Sequence, residues 1–423
     1  MSSGATADFL IAILSVLPPG ADVVVVRDGA DWVVGVDPDE IITGTGETAL
    51  TVLDRIQSGW WAGFLAYDLG RAVERVVPRH PDDLGLPDLA MARFGARLVV
   101  GFRGVRVEGG GRARTALEAL ARRAREGCWS PAPPHLGPWS SNLSREAYEA
   151  GVRAVVALIE AGECYQVNLT RRLSCPRPAD PIALFVALLR WNPAPHAALI
   201  RLGNVAVVSA SPERFLLRRG DEIETRPIKG TAADPAVLIR STKDRAENVM
   251  IVDMARNDLG RVCEYGSIRV PTLCAPERHP GLYHLVSTVR GTLRPGVRTA
   301  ALLRATFPAA SITGAPRPRV LQAIEDLEAC RRGLYCGAVG WIDADACSLD
   351  LNVAIRTFTV AGGGISLGVG AGIVADSDPA GEWRETKLKT ARLLAAAGGR
   401  TVRPSGKVRR PATSTLLHQR PDR

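Results

Sequence analysis

The 423-residue chain is 46% hydrophobic and 23% charged, which excludes a disordered chain and suffices for one large core or two packed domains. Its net charge of +9 raises a nucleic-acid-binding protein as a remote alternative, but much of the excess lies in arginine-rich stretches such as 112–125 and beyond Gly399. No basic stripe interleaved with aromatics accompanies it, so a solvated surface is expected.

In chain order, 9–17 is an apolar run too short to span a bilayer. It lacks a basic leader and stops at Pro18-Pro19, so it is expected to be a core element and no signal. Residues 1–130 alternate strand-like runs (23–27, 32–36, 98–102) with helical ones (47–57, 115–126), as in one mixed α/β subdomain. A proline-rich linker at 131–141 follows, after which Ser144 as N-cap and Glu146 in the first turn open a helix to about 160. Strands and helices then recur over 142–397, expected to be the catalytic domain, without strict βαβ alternation. The aperiodic basic tail, 398–423, is expected to be disordered. The eight cysteines are scattered with no C-x-x-C, which implies a reducing, cytosolic compartment.

Two helices carry paired carboxylates. Asp378-Pro379 starts one on which Glu382, Glu385 and Lys389 stand at i, i+3 and i+7, hence on one face. A second opens near Ser241 or Thr242 and carries Asp244 and Glu247 three residues apart. Face to face, the pairs would suit Mg²⁺, which takes hard oxygen ligands and completes its shell with substrate or water. Each pair alone is more simply a solvated charged face. Upstream of the last helix, Gly368-Val369-Gly370-Ala371-Gly372 follows a strand and could let backbone N–H groups approach an anion. Ile373 replaces the third glycine of a dinucleotide fingerprint, which weakens a nucleotide reading.

Lys229 ends a strand between Ile228 and Gly230. Most lysines so placed are exposed. Desolvated in a pocket, its neutral amine would be a nucleophile, and Glu213 is the nearest upstream carboxyl able to protonate a departing hydroxyl. The plainer role for Glu213 is a salt bridge with a nearby arginine.

Six blocks in order, at 165–169 (YQVNL), 211–215 (SPERF), 227–231 (PIKGT), 247–260 (ENVMIVDMARNDLG), 311–316 (SITGAP) and 368–374 (GVGAGIV), resemble the chorismate-utilising enzymes. The segment GWWAGFLAYD at 59–68 resembles that family's N-terminal signature. The resemblance implies an α/β (α+β) fold: a two-layered arrangement of large, mainly antiparallel sheets flanked by helices.

Gln166 matches the position where the water-adding branches carry a lysine base. A neutral amide cannot deprotonate water, so ammonia is the expected nucleophile. The run Pro-Ile-Lys-Gly-Thr is similar to the branch that aminates chorismate at C4, giving 4-amino-4-deoxychorismate on the route to 4-aminobenzoate. In the alternative branch, which forms anthranilate and pyruvate, alanine usually replaces this lysine. The resemblance then implies that Lys229 attacks C2 while Glu213 protonates the C4 hydroxyl, after which ammonia adds at C4 and expels the lysine. It also implies Mg²⁺ on Glu247 and Glu385, with Asp244 and Glu382 around it, and Lys389 near the ring carboxylate. Arg356 and Tyr335 would hold the enolpyruvyl carboxylate, with donors from Gly370, Ala371, Gly372 and the Thr313 hydroxyl. His284 aligns with a histidine linked to pyruvate elimination, and a structural histidine is an equal reading. Arg317 departs from the family, which usually has lysine after Gly-Ala-Pro. No G-x-C-x-G glutaminase motif is present, so a separate glutamine amidotransferase is the expected partner and ammonia source.

Overall fold

The four consecutive valines of strand Val23–Asp28 are all buried, because the strand has core on both faces. Val23 and Val25 pack with Leu10, Ile13 and Leu14 of helix Ser3–Ser15 and with Phe185 of helix Pro181–Trp191. Val24 and Val26 point the other way and pack with Trp60, Ala62 and Phe64 of a second sheet. That period-2 division defines the architecture, two packed sheets with helices on their outer faces. The computed structural model describes residues 3–127, 131–279 and 282–399, and the backbone of 402–404.

Among the described residues one sheet has twelve strands and the other ten. In the larger, Gln166–Cys175 pairs with Gly364–Ile373, and the order continues through Thr357–Ala361, Val205–Ser211 and His196–Leu202 to Val23–Asp28. In the smaller, Ile228–Ala232 pairs with Leu282–Thr292, and the order runs on through Arg214–Arg219 and Ala338–Asp343 to Trp60–Leu65. The named ladders are antiparallel, and Val402–Pro404 joins Trp139–Ser141 in parallel.

Two expectations need correction. Residues 1–130 are not a unit of their own, since Val23–Asp28 pairs with His196–Leu202 and Trp60–Leu65 with Ala338–Asp343. Local sequence cannot register such long-range pairing, so the segment 131–141 joins two parts of one interleaved fold. The tail is not wholly without structure, because Val402–Pro404 pairs with Trp139–Ser141; 400–401 and 405–423 lie outside the described residues. Cys128 does too, and the other seven cysteines are free thiols.

The helix starts are where their caps put them. Ser144, Ser241 and Asp378 each accept a hydrogen bond from the backbone N–H three residues on, opening helices Arg145–Glu160, Thr242–Gly260 and Pro379–Ala396. In helix Gly111–Glu126, Leu117, Leu120, Ala121 and Ala124 face the core while Arg112, Arg114, Arg122, Arg123 and Arg125 are exposed, so much of the positive charge is a solvated face. No helix among the described residues is long and apolar enough to cross a membrane. Replacing Ser241 by Ala should cost about 1 kcal/mol, since the Asp244 N–H loses its acceptor. The check is a lower denaturant midpoint with an unchanged slope.

Candidate active site

The expected site residues come from distant segments, and three elements bring most of them together. Strand Ile228–Ala232 supplies Lys229, whose side chain is only 13% exposed, against the local expectation for a lysine. Helix Thr242–Gly260 crosses above that strand with Asn248 buried and donating to the Leu285 carbonyl, which turns Glu247 inward. Its carboxylate lies 3.6 Å from Lys229 Nζ. Asp244, one turn earlier, lies against Gly230, where an added Cβ would come 2.9 Å from Asp244 Cγ. Gly230 has φ +69°, a conformation suited to glycine, so both the space and the backbone require it.

The run 368–372 is no turn beyond a strand but part of strand Gly364–Ile373, paired residue by residue with Gln166–Cys175. Its glycines still serve close approach, of side chains: a Cβ on Gly368 would overlap the Tyr335 ring at 2.1 Å, and one on Gly372 would meet Lys229 Nζ at 3.3 Å and the Gln166 amide at 3.4 Å. Gly372 is therefore the floor on which Lys229 and Gln166 converge. Gln166 is fully buried, with neither amide atom hydrogen-bonded within the described protein. A buried, unpaired amide costs on the order of 1–3 kcal/mol, which is tolerable where a ligand completes it. Ala371 points its methyl into the core beside Leu169 and Ile324.

Helix Pro379–Ala396 closes the site. Lys389 Nζ lies 2.6 Å from a Glu385 oxygen and donates to the Gly370 carbonyl at 3.0 Å. Desolvation works to raise Glu385, but the ammonium groups of Lys389, Lys229 and Lys243 outweigh it and hold the carboxyl below its ordinary range. Glu247 and Glu385, from different helices, thus both feel the charge of Lys229. Glu382 is buried; one oxygen accepts from the Ser377 hydroxyl at 2.7 Å and the other has no partner within the described protein. Burial pushes it up, with Glu385 adding to the effect.

Among the described residues the four acids do not close into a preformed cage of three or more metal ligands. They are nonetheless the donor set that suits Mg²⁺, which is commonly held by one or two carboxylates with substrate and waters supplying the rest. The unpartnered oxygen of buried Glu382 fits such an ion.

Glu213, on the far side of Lys229, is buried and pushed up to about 7 by desolvation, against the Ser311 hydroxyl, Lys229, the Ile228 N–H and Arg356. Among the described residues it makes no salt bridge with a nearby arginine; its neighbour Arg214 pairs instead with the buried Glu224 and Asp350. Ser311 sits within the recognisable block at 311–316, but only the fold shows its contact. Arg356 has φ +52°, a conformation that costs a residue with a side chain about 1–2 kcal/mol and marks a position held by its surroundings. Burial lowers it, with Arg392 beside it.

His284 is buried, its Nδ1 2.9 Å from the Thr231 hydroxyl, and its Nε2 has no partner within the described protein. Desolvation lowers it to about 4, so at neutral pH it is an uncharged imidazole. Burial drives the Tyr335 phenol well above its ordinary range. The Thr313 hydroxyl is not the expected donor: it donates to the Ala309 carbonyl at 3.0 Å and keeps only its acceptor capacity. Arg317 is engaged elsewhere, donating to the Ala305 carbonyl at 3.1 Å and pairing with Asp258, so it braces helix ends.

The profile of the chorismate binding enzymes matches residues 31–395. The chain belongs to that family. Aminodeoxychorismate synthase component 1 of Klebsiella aerogenes is 41% identical over 350 residues, covering 78% of this chain and 76% of that protein. Anthranilate synthase component 1 of Thermus thermophilus is 38% identical over 359 residues, covering 80% of this chain and 77% of that protein. The crystal structure of anthranilate synthase component I from Streptococcus pneumoniae superposes with a TM-score of 0.75 at 26% identity, covering 89% of this chain and 93% of that one. Family membership and these relatives place the two-sheet architecture with the chorismate-utilising enzymes.

Proposed function

We infer that the chain is the chorismate-aminating component of an aminodeoxychorismate synthase, converting chorismate and ammonia to 4-amino-4-deoxychorismate and water. The observation that carries this is a half-buried primary amine, Lys229, beside a buried carboxyl, Glu213, that is pushed up to about 7. A carboxyl in that range is protonated often enough at neutral pH to serve as an acid.

The amine of Lys229 attacks C2 of the ring and gives up a proton, both ring double bonds shift by one position, and the C4–O bond breaks. Glu213 gives its proton to the departing hydroxyl, which leaves as water. Ammonia then forms the C4–N bond and loses a proton, both double bonds shift back, and the C2–N bond to Lys229 breaks as the lysine nitrogen regains a proton. Two substitutions with a covalent intermediate replace one difficult exchange at C4. Gln166 offers a neutral donor and acceptor next to Lys229, which suits ammonia and cannot generate hydroxide.

Glu247 and Glu385, with Asp244 and Glu382 around them, would hold Mg²⁺, which when bound supplies positive charge against the ring carboxylate. Lys389 stands ready for the same carboxylate, and Arg356 and Tyr335 for the enolpyruvyl one. Ammonia in the cell would come from a glutamine amidotransferase partner, the product would serve the route to 4-aminobenzoate and folate, and the reaction would count as a transferase-type amination in the cytoplasm.

The identity to anthranilate synthase and the neutral His284 beside the site favour a second reading, amination at C2 with loss of pyruvate. Incubation of the protein with chorismate, MgCl₂ and an ammonium salt separates the two. Our reading expects 4-amino-4-deoxychorismate without pyruvate; fluorescent anthranilate with equimolar pyruvate would overturn it.

A further inference from the structure

The acidic helix has a fourth member on its active face. After Glu382, Glu385 and Lys389 at i, i+3 and i+7, Arg392 follows at i+10, so it points along the same side of helix Pro379–Ala396. There it meets Arg356: the two guanidiniums line one cavity of about 90 Å³ together with Trp191, Pro212 and His279.

Among the described residues no carboxylate lines that cavity, and neither guanidinium makes a hydrogen bond or a close ion pair. Arg392 is exposed, so water screens its repulsion of Arg356, and an anion between the two would turn that repulsion into attraction. Their mutual effect is visible in Arg356, lowered by burial and then by Arg392. The cavity borders the active site through two of its lining residues. Pro212 directly precedes Glu213, and the His279 ring lies edge-on to that of His284 with centroids 4.7 Å apart.

We propose that Arg392 is a second guanidinium for the substrate's side-chain carboxylate, which is gripped between Arg356, in the bend that joins strands Ser348–Val353 and Thr357–Ala361, and Arg392 from the closing helix. This rests on the chorismate reading above. It gives the helix a polarity that matches a dicarboxylate: Glu382 and Glu385 toward the ring carboxylate, and Arg392, about 10 Å further along the axis from Glu385, toward the other. Recognition of the second carboxylate then belongs to the closing helix as much as to Arg356.

The test uses the full chain with MgCl₂ and an ammonium salt, in Arg392→Ala and Arg392→Lys. One lost charge-assisted contact raises KM for chorismate by roughly tenfold to a hundredfold in Arg392→Ala, leaves kcat within about twofold, and is partly restored in Arg392→Lys. Two competitive inhibitors separate recognition from general damage: benzoate, and benzoate carrying an enolpyruvyl ether meta to its carboxylate. Only the second should bind Arg392→Ala more weakly than wild type. An unchanged KM, or equal weakening of both inhibitors, would overturn the proposal. Failure of the wild-type protein to make any C4-aminated product would instead overturn the functional reading, since the inhibitor comparison does not depend on the product formed.

Discussion

Lys229→Ala should lose ammonia-dependent product formation by at least about a thousandfold, roughly 4 kcal/mol of barrier at 1.4 kcal/mol per tenfold. The effect is expected in kcat, because the amine forms a bond to the substrate and is not one of several similar contacts. Chorismate binding should change little, since Lys389, Arg356 and the carboxylate pairs remain. The fold should also survive. Lys229 sits at the end strand of its sheet, its backbone ladder to Leu285 does not depend on its side chain, and its partner Glu247 keeps 16% of its side chain in water. Rapid-quench product formation alongside equilibrium binding of chorismate separates the two quantities. A variant that aminates at the wild-type rate would leave the lysine without a chemical role.

Glu213→Gln should cost about 10²- to 10⁴-fold in kcat, the usual worth of a positioned acid. The amide keeps the shape and the contact with the Ser311 hydroxyl but has no proton to give. The pH profile gives a sharper signature. Glu213 is pushed up to about 7 by desolvation, so its acid form dominates below that value and is lost above it. The wild-type rate should therefore decline above about pH 7, approaching a tenfold loss per unit, while the residual rate of Glu213→Gln should show no such decline. Superimposable profiles would assign the acid to another group.

Local structure was legible in sequence wherever a short-range rule governs it. Ser144, Ser241 and Asp378 cap the helices they announce, because a capping hydrogen bond involves residues three apart. The offsets of Glu382, Glu385 and Lys389 gave their common face for the same reason. What sequence could not give was how separate segments meet. Val23–Asp28 reads as a strand, yet nothing nearby says that it pairs with His196–Leu202 and interleaves the first 130 residues with the rest. The glycine run at 368–372 suggested an anion-binding turn because glycine permits close approach by anything; only the fold shows that Tyr335, Lys229 and Gln166 make that approach. Thr313 illustrates the converse: its hydroxyl was expected to donate to the substrate, but the carbonyl that takes its proton lies in a preceding turn whose geometry no motif encodes. Arg392 was open to sequence reasoning, one turn beyond Lys389, and its importance emerges only when Arg356 is found across the cavity.

The claim that most needs direct confrontation is that Lys229 bonds to the ring. Mixing the protein with chorismate and MgCl₂ in ammonia-free buffer, quenching with acid and mapping peptides by mass spectrometry would settle it. The account predicts that the peptide bearing Lys229 gains the mass of chorismate less one water, and that the adduct disappears when an ammonium salt is added before the quench. An unmodified Lys229 under conditions where the same preparation aminates chorismate, or an adduct on another residue, would contradict it.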